Sequence, residues 1–409
     1  MKFTFKIFFF SLIIASCSKK YSYVSMIKAD IQYLSSDSLQ GRETGTMGEK
    51  LAAKYIAERF KQMNLVSKGE ENFFQDFNFK PAKNPHEQVS FSNTKENDVI
   101  TARNVIGFID NNSDKTVVFG AHYDHLGYGS NSSLYRGEVE KIHNGADDNA
   151  SGVALMLDLA GKLKSIASQN NYLFVAFSGE EMGLLGSNYF VKNPTTSIES
   201  INYMINMDMV GRLKEDKSLA IYGVGTSPIF KQTLKSNNEV FSIIENESGM
   251  GPSDHTSFYL ADIPVLHFFT GQHSDYHKPS DDFEKINYQG IELLSNYIIN
   301  IIKDLNDNGK LPFRATKNES QAVPRFKVSL GVMPDYLFDG EGMKIDGISA
   351  DKPAQKAGIL KGDIVIKLGD ENVIDMMSYM KALSKFKSGE STLVTIKRGE
   401  KIIEKEIVF

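Results

Sequence analysis

KTVVFGAHYD, at residues 115–124, is the stretch that decides the fold, because an apolar and β-branched run ends abruptly in a histidine and an aspartate. Such a run predicts a buried strand that ends at Ala121. His122 and Asp124 would then follow the carboxyl end of that strand, which is the edge where open α/β sheets keep their ligand sites. The stretch therefore predicts an α/β fold with a binding site at one edge of the sheet.

Three further apolar segments repeat this arrangement, and each is followed by residues that can bind a metal. The segments span residues 173–177, 202–207 and 265–269, and the residues after them are Glu180 with Glu181, Asp208 and His277. We therefore expect four strands to deliver these side chains to one edge of the sheet.

A fifth motif, GADDNASG at residues 145–152, precedes an apolar run with helical spacing at 153–163. Aspartate and asparagine often cap helices, and alone this motif would be explained that way. A carboxylate in the same turn can also bridge two cations, and we predict Asp148 rather than Asp147 for that role. Two imidazoles and three carboxylates then suffice for two divalent ions, with a further carboxylate left to move a proton.

Two neighbouring side chains in these motifs can take different roles. A ligating imidazole usually donates its other N–H to a carboxylate or a carbonyl, so we expect Asp124 to orient His122. The side chains of Glu180 and Glu181 diverge, so one can bind a metal while the other acts as a general base.

The motifs in this order resemble peptidase family M28, a family of zinc metallopeptidases whose best-known members are secreted dinuclear aminopeptidases. The resemblance covers roughly residues 25–305 and rests on five patterns together: HxD, DDNASG, GEExGLxGS, NxD and YHxPxD. It includes LSSDSLQGRETGT near the amino terminus and PSDHTSF at 252–258. It implies an α/β fold with a mixed, mostly parallel sheet flanked by helices, as in zinc exopeptidases.

The resemblance also implies roles for individual residues and a content of two Zn²⁺ per chain. One zinc would be held by His122 and Asp208, the other by Glu181 and His277, with Asp148 bridging the two. Glu180 would be the general base, Asp124 would assist catalysis, and Asp254 and Asp281 would support the site or the substrate. The peptide bond after Asp148 would be cis.

One departure from the family concerns the oxyanion. Some secreted relatives carry a tyrosine, near the Ser-Asp-His triplet, that helps to stabilise the tetrahedral intermediate. This sequence reads SGMGP at residues 248–252, without tyrosine or cysteine. The residue that stabilises the oxyanion is therefore left open.

The motifs predict an aminopeptidase that releases amino-terminal residues from peptides, and three alternatives remain. Glutaminyl cyclases of the same family work with one zinc, and the retention of His122 argues against them. Carboxypeptidases of the family would shorten a peptide from its other end. A non-catalytic lipoprotein that binds peptides is the third alternative, against which the complete ligand set and Glu180 argue.

The amino terminus predicts export. Residues 1–16 combine Lys2 and Lys6 with an apolar run too short to span a bilayer permanently, which is typical of a signal peptide. IASC at residues 14–17 resembles a bacterial lipobox, and Cys17 is the only cysteine in 409 residues. We therefore expect lipidation of Cys17, a tether at 17–24, a catalytic domain at 25–308, and a membrane-anchored protein that faces the periplasm or the cell exterior.

The carboxyl-terminal part predicts a second domain. After a polar linker at 309–324, residues 325–409 change to short strands separated by glycine turns. AGILKGDIV followed by LGD resembles the core of a circularly permuted bacterial PDZ domain. The resemblance implies a small β-rich fold in which Ser329, Leu330, Gly331 and Val332 form the loop that captures the carboxylate of a C-terminal peptide. A domain that only packs against the catalytic domain is the alternative.

Composition bounds the remaining possibilities. The chain has 409 residues, 41% of them hydrophobic, which is enough for two sizeable cores. Its formal net charge is −5, and no basic run is longer than a few residues, so nucleic acid is not expected as a partner.

Overall fold

The structure is a computed structural model that describes residues 23–81, 90–92, 98–129, 132–166, 168–316, 328–335, 338, 340–348 and 352–409. Its α-helices are α1 (Tyr23–Leu34), α2 (Met47–Gln62), α3 (Gly152–Leu163), α4 (Leu185–Lys192), α5 (Phe230–Ser236), α6 (His255–Tyr259), α7 (Tyr288–Leu305), α8 (Pro353–Lys356) and α9 (Met376–Leu383). Its first ten strands are β1 (Val66–Ser67), β2 (Phe74–Lys80), β3 (Ser90–Phe91), β4 (Ile100–Ile109), β5 (Thr116–His122), β6 (Asn171–Phe177), β7 (Ile201–Met207), β8 (Ser218–Tyr222), β9 (Ser242–Asn246) and β10 (Val265–Phe269). The remaining strands are β11 (Val332–Pro334), β12 (Met343–Ile348), β13 (Ile364–Leu368), β14 (Glu371–Asn372), β15 (Ser391–Arg398) and β16 (Lys401–Val408).

The first ten strands form one mixed sheet, as predicted, in the order β3-β2-β4-β6-β5-β7-β10-β8-β9, with β1 paired to β4. The central strands β6, β5, β7 and β10 run parallel to one another. The pairs on one flank are antiparallel, and β8 joins β10 antiparallel before pairing in parallel with β9. The parallel part is therefore confined mainly to the centre, where the predicted site lies.

The four central strands are buried along their whole length, which explains their continuous apolar sequences. Alternate residues of β5 face opposite sides of the sheet. Val117 and Phe119 join a core that includes α1, α2, α3 and α7, whereas Val118 joins a second core that includes Phe190 and Phe258. Helices on both faces thus leave the carboxyl edge of the strands as the place where polar side chains can gather.

The predicted signal peptide, Cys17 and the start of the tether lie outside the described residues. Helix α1 begins at Tyr23, so the described chain is already helical at the end of the predicted tether. Within the described part of the chain, no helix combines the length and the apolar character needed to cross a bilayer.

The remaining strands form a second sheet in the order β11-β12-β13-β15-β16, with β14 paired to β13. It has its own apolar core, in which Leu330 is fully buried. The side chain of Arg398 donates from Nε and Nη2 to both oxygens of Asp363, at 2.6 and 2.7 Å. The second domain is thus the small β-rich unit that the sequence predicted.

The segment before this domain belongs partly to the first one. Leu311 is 3% exposed, and its N–H donates to Asn202 Oδ1 at 2.7 Å. Arg314 N–H donates to the carbonyl of Thr226 at 2.8 Å, and Thr316 N–H donates to the Tyr259 hydroxyl at 3.0 Å. Residues 309–316 therefore pack on the first domain, although the sequence predicted that the linker starts at 309.

Candidate metal centre

The site forms where the central strands end. His122 is the last residue of β5, Asp208 follows β7, and Glu180 and Glu181 follow β6 after a short turn. Asp148 lies in a distorted helical turn, Ala146–Ser151, that leads into α3. His277 follows β10, and the structure brings it together with the other four predicted ligands in one pocket.

The donor atoms around His122 have the spacing of zinc ligands. With bonds of about 2.0–2.2 Å, two ligands of a tetrahedral zinc lie about 3.3–3.5 Å apart. His122 Nε2 lies 3.3 Å from Asp148 Oδ1 and 3.4 Å from Asp208 Oδ1. These distances exceed those of ordinary N–H···O hydrogen bonds, about 2.7–3.2 Å. Asp208 Oδ1 is also buried without a hydrogen-bond partner among the described residues, as expected of an atom reserved for a cation.

A second set of donors surrounds His277. Its Nε2 atom lies 3.2 Å from Asp148 Oδ2 and 3.2 Å from Glu181 Oε2. The two oxygens of Asp148 therefore face different sets, Oδ1 toward His122 and Oδ2 toward His277. This is the arrangement of a bridging carboxylate between two cations, and the residues present fit two zinc ions.

The other ring nitrogen of each histidine is held by a backbone carbonyl. His277 Nδ1 lies 2.9 Å from the carbonyl oxygen of Ser132. His122 Nδ1 lies 3.2 Å from the carbonyl oxygen of Asp124 and 3.7 Å from its carboxylate, so the carbonyl rather than the expected carboxylate is the nearer partner. Both contacts favour a proton on Nδ1 and leave Nε2 free to bind a metal.

The carboxylate of Asp124, besides lying near His122 Nδ1, makes two further contacts. It accepts hydrogen bonds from Thr44 Oγ1 at 2.9 Å and from the backbone N–H of Glu180 at 3.2 Å. Asp124 therefore fixes the start of the Glu180-Glu181 turn relative to the end of β5. It positions the site, and its carboxylate does not reach the pocket lining.

Glu180 lies beside the first set without joining it. Its Oε2 atom is 4.0 Å from His122 Nε2, beyond the ligand spacing seen for Asp148 and Asp208. Burial raises the pKa of Glu180 well above its usual range, and repulsion from Asp208 adds to the shift. A carboxyl group with a raised pKa next to a metal site is suited to accept and return a proton.

The site concentrates negative charge. Burial opposes protonation of His277, but hydrogen bonds with Asp148 and Glu181 outweigh it and raise the pKa of His277 to about 11. Four carboxylates that are buried or nearly so, beside two imidazoles, need compensating cations or protons. Two divalent ions would supply that compensation.

Asp281 holds the turn that carries the bridging residue. Its Oδ2 atom accepts the backbone N–H groups of Asp147 at 2.9 Å and of Asp148 at 3.1 Å. Burial raises the pKa of Asp281 to about 6, and the neighbouring Asp147 contributes to the shift. The Asp148–Asn149 peptide bond is cis, as the resemblance implied. Asp281 thus supports the site through the backbone.

Asp254 is buried near the same site. Neither of its carboxylate oxygens has a hydrogen-bond partner in the described part of the chain. Burial raises the pKa of Asp254 to about 7, and attraction to His122 moderates this shift. Asp254 does not line the pocket, so its placement favours a supporting role over contact with a substrate.

Two residues that organise the site were not predicted from the sequence. The Arg42 side chain is buried and donates to the carbonyls of Tyr123 at 2.7 Å, Asn144 at 2.7 Å and Gly145 at 3.0 Å, and also to that of Leu34. It thereby ties the end of β5 to the turn that carries Asp148. Only its place within QGRETG hinted at such a role, because its partners are distant in the sequence.

The second missed residue is His125. Its Nδ1 atom lies 2.8 Å from Glu181 Oε1, and its Nε2 atom is buried without a described partner. His125, Asp148 and Glu181 could together hold a metal. A spacing of 2.8 Å is nevertheless that of a hydrogen bond, so we assign His125 to orienting Glu181. The HYDH motif at 122–125 contained this residue, but nothing in the sequence linked it to Glu181.

A pocket of about 140 Å³ opens onto both sets of donors. Besides the metal-site residues it is lined by Met209, Tyr222, Pro252, Ser253, His267, Phe269, Gln272 and Tyr276. A cavity of about 150 Å³ holds one benzene ring. The pocket is therefore small, and its volume includes the space between the proposed metal ligands.

Comparisons with known proteins match two families to different parts of the chain. Residues 104–302 match Peptidase family M28, and residues 313–408 match the PDZ domain. The chain is 28% identical to aminopeptidase YwaD of Bacillus subtilis over 226 residues, 52% of this chain and 46% of that protein. It is 31% identical to the alkaline phosphatase isozyme conversion protein of Escherichia coli over 169 residues, 41% of this chain and 46% of that protein. The chain thus spans about half the length of these curated relatives.

Solved structures share the fold. BSAP, a zinc aminopeptidase from Bacillus subtilis, matches with a TM-score of 0.54 and 18% identity over 71% of this chain and 98% of its own. A zinc-dependent exopeptidase from Parabacteroides distasonis matches with a TM-score of 0.56 and 18% identity over 68% and 97%. A glutaminyl cyclase from Bacteroides thetaiotaomicron matches with a TM-score of 0.53 and 17% identity over 68% and 97%. At these identities the similarity shows a common fold.

Proposed function

We propose that this chain is a zinc aminopeptidase with two metal ions. The premise is that it joins a peptidase family M28 domain to a PDZ domain. The observation that carries the proposal is the position of Asp148. Its two oxygens face separate donor sets, 3.3 and 3.2 Å from the Nε2 atoms of His122 and His277, which is close to the spacing expected of ligands on two separate zinc ions.

The proposed chemistry divides between the metals and Glu180. When bound, zinc polarises a carbonyl oxygen and lowers the pKa of water, which supplies a nucleophile near neutral pH. His122 and Asp208 would hold one ion and Glu181 and His277 the other, with Asp148 between them. Glu180 is placed beside the first set to take a proton from the attacking water and to return it to the leaving amine.

The charge of the pocket favours the amino end of a peptide over the carboxyl end. Its described lining contains four acidic residues, Asp148, Glu180, Glu181 and Asp208, and no lysine or arginine. With two zinc ions bound these carboxylates are compensated, but the described lining still offers no lysine or arginine to bind a terminal carboxylate away from the metals. This distribution supports an aminopeptidase rather than a carboxypeptidase.

The activity can be tested with one peptide whose termini are both free. Incubation with the zinc-loaded protein should release residues one at a time from the amino end, as followed by mass spectrometry. Glu180→Gln should keep its zinc and lose about 10²–10⁴ in rate, because the amide cannot accept a proton. Glu215→Gln, an exposed substitution, serves as the control. Loss of carboxyl-terminal residues, or cyclisation of an amino-terminal glutamine, would replace the proposal with one of the family alternatives.

We also propose that the protein is exported and anchored by a lipid on Cys17 to a bacterial membrane, facing the periplasm or the cell exterior. The lipobox-like sequence and the absence of any other cysteine in the 409 residues support this. Cys17→Ser should move the enzyme into the soluble fraction with unchanged activity. Membrane association that survives the substitution would show another anchor.

For the PDZ domain we propose capture of a peptide's carboxyl terminus at Ser329–Val332. In support, β11 is at the edge of its sheet, where an added strand can pair. The N–H of Gly331 donates to Ser329 Oγ at 3.1 Å, and a captured carboxylate would have to replace that bond. The test is a protein that ends after Thr316, the last described residue before residue 328. Its KM should rise for long peptides with a free carboxyl terminus and stay unchanged for amidated ones.

A further inference from the structure

A chain of hydrogen bonds connects a predicted metal ligand to a buried histidine in the pocket. Ser253 Oγ donates to Asp208 Oδ2 at 2.8 Å, and Asn206 Nδ2 donates to Ser253 Oγ at 2.8 Å. The same Asn206 Nδ2 atom lies 3.0 Å from His267 Nδ1. The donor and acceptor roles along this chain determine where His267 carries its proton.

The direction of the chain follows from Asp208. An ionised carboxylate only accepts, so the Ser253 hydroxyl must give its single proton to Asp208 and must accept from Asn206. A flipped Asn206 amide would point its oxygen at a hydroxyl with no proton left to give. The Asn206 amide nitrogen therefore donates one hydrogen to Ser253, and its second hydrogen is available to His267 Nδ1.

His267 Nδ1 is consequently an acceptor, and the proton of the neutral ring lies on Nε2. Burial lowers the pKa of His267 to about 4, so the ring stays neutral at physiological pH. His267 is 4% exposed and lines the pocket beside the metal site. Its Nε2–H group is thus a neutral donor whose tautomer is set by the protein.

The ring is also held in place by packing. It stacks on His255 with centroids 4.4 Å apart and an interplanar angle of 3°, and the Tyr222 ring lies 5.5 Å away. His267 lies in the middle of β10, which pairs with β7 on one side and β8 on the other. A donor fixed in this way needs little reorganisation during a reaction, which is the property of an oxyanion-stabilising group.

We propose that His267 is a catalytic residue whose Nε2–H donates a hydrogen bond to the substrate carbonyl oxygen as the carbonyl becomes tetrahedral. This inference rests on the proposed aminopeptidase function. His267 would supply the oxyanion hydrogen-bond donor that residues 248–252 do not provide, since they contain neither tyrosine nor cysteine. Ionised acids can only accept and Ser253 gives its proton to Asp208, whereas the donor of His267 has its direction fixed by the hydrogen-bond chain; Tyr222, Tyr276 and Gln272 also carry donors in this lining.

The first test separates rate from binding. His267→Phe keeps an aromatic ring against His255 but removes the donor, and His267→Gln can restore an N–H. Loss of one oxyanion donor lowers kcat by about 10²–10³. We expect this loss in the Phe variant, with KM within about threefold of the wild-type value and an unchanged zinc content, and partial recovery in the Gln variant. His255→Phe makes the same substitution in the neighbouring ring and measures the effect of disturbing the stack.

A binding measurement keeps the inference distinct from the proposed function. By calorimetry, His267→Phe should lose affinity for an aminoalkyl boronic acid, which becomes tetrahedral on binding, and should keep its affinity for the free amino acid. Equal losses for both ligands, or a kcat within about threefold of the His255→Phe value, would overturn the role of His267. An inactive wild-type protein would instead overturn the proposed aminopeptidase activity.

The tautomer can be observed directly in the wild-type protein, so the test does not depend on a variant that folds. A long-range ¹H–¹⁵N spectrum of histidine-labelled protein should show His267 protonated on Nε2, and the signal of that proton should shift when the boronic acid binds. A proton on Nδ1 would contradict the hydrogen-bond chain and the proposal with it.

Discussion

Asp281→Asn should make the metal-free protein more stable and should lower its affinity for zinc. Asp281 is fully buried, and burial raises the pKa of its carboxyl group from 3.8 to about 6. A shift of roughly two units at about 1.4 kcal/mol each means that keeping this carboxylate ionised costs about 3 kcal/mol. The asparagine oxygen can still accept the N–H groups of Asp147 and Asp148 without that charge.

The sign follows from proton linkage. A carboxyl group with a raised folded-state pKa binds more protons in the native state, so its favourable contribution is complete below about pH 4 and is lost as the pH rises through about 6. The metal-free wild-type protein should therefore lose up to about 3 kcal/mol from this group between those pH values. Asp281→Asn should remove that part of the pH dependence and should be more stable by about 1–3 kcal/mol near pH 8.

Zinc binding should change in the opposite direction. The carboxylate holds the backbone of the bridging residue and adds negative charge near the cations, and loss of such outer partners typically weakens metal affinity about 10–100-fold. Urea unfolding of the metal-free proteins measures stability, and competition with a chelator measures affinity. Asp282→Asn is the control, since Asp282 accepts the Phe283 N–H and asparagine can cap equally well. A less stable metal-free Asp281→Asn protein with unchanged zinc affinity would refute this account.

Three other perturbations have definite expected results. Asp148→Ala should lose both zinc ions whereas Asp208→Ala should lose one, as measured by elemental analysis of dialysed protein; two ions in the Asp148 variant would contradict the bridge. Arg42→Met should lower the free energy of unfolding by about 3–5 kcal/mol in urea, because it removes a buried charge and leaves backbone carbonyls without donors. A decrease below about 1 kcal/mol would show that water replaces the guanidinium. A protein that ends after Thr316 should retain kcat on aminoacyl substrates. One that ends after Asn308 should unfold at a lower temperature, because it lacks the contacts of Leu311 and Thr316. Equal melting temperatures of the two proteins would show that these contacts do not stabilise the domain.

The sequence was most informative where one short segment contains both a strand and the polar site residue that follows it. A buried strand followed at once by His122, or by Asp208 after β7, can be recognised without any tertiary information, because the apolar run and the polar residue are adjacent. The same is true of the glycine turns that separate the strands of the second domain. These features predicted the central strands, the residues that the structure gathers in one pocket, and the β-rich unit at the carboxyl end.

Contacts between distant segments could not be predicted in this way. Arg42 reaches carbonyls 81 to 103 residues further along the chain. The chain from Asp208 to His267 uses residues of two strands and a loop, and its meaning depends on which atom of each side chain donates. The packing of residues 309–316 on the first domain was likewise hidden, because a polar segment with one leucine and one phenylalanine is typical of a linker. Each of these depends on three-dimensional packing rather than on local sequence.

The central claim is that Asp148 bridges two zinc ions, and anomalous diffraction at the zinc edge tests it most directly. Crystals of the zinc-loaded protein should show two peaks. One should lie among His122 Nε2, Asp148 Oδ1 and Asp208 Oδ1, and the other among His277 Nε2, Asp148 Oδ2 and Glu181 Oε2. A single peak, or a second peak bound through His125 in place of His277, would contradict the account.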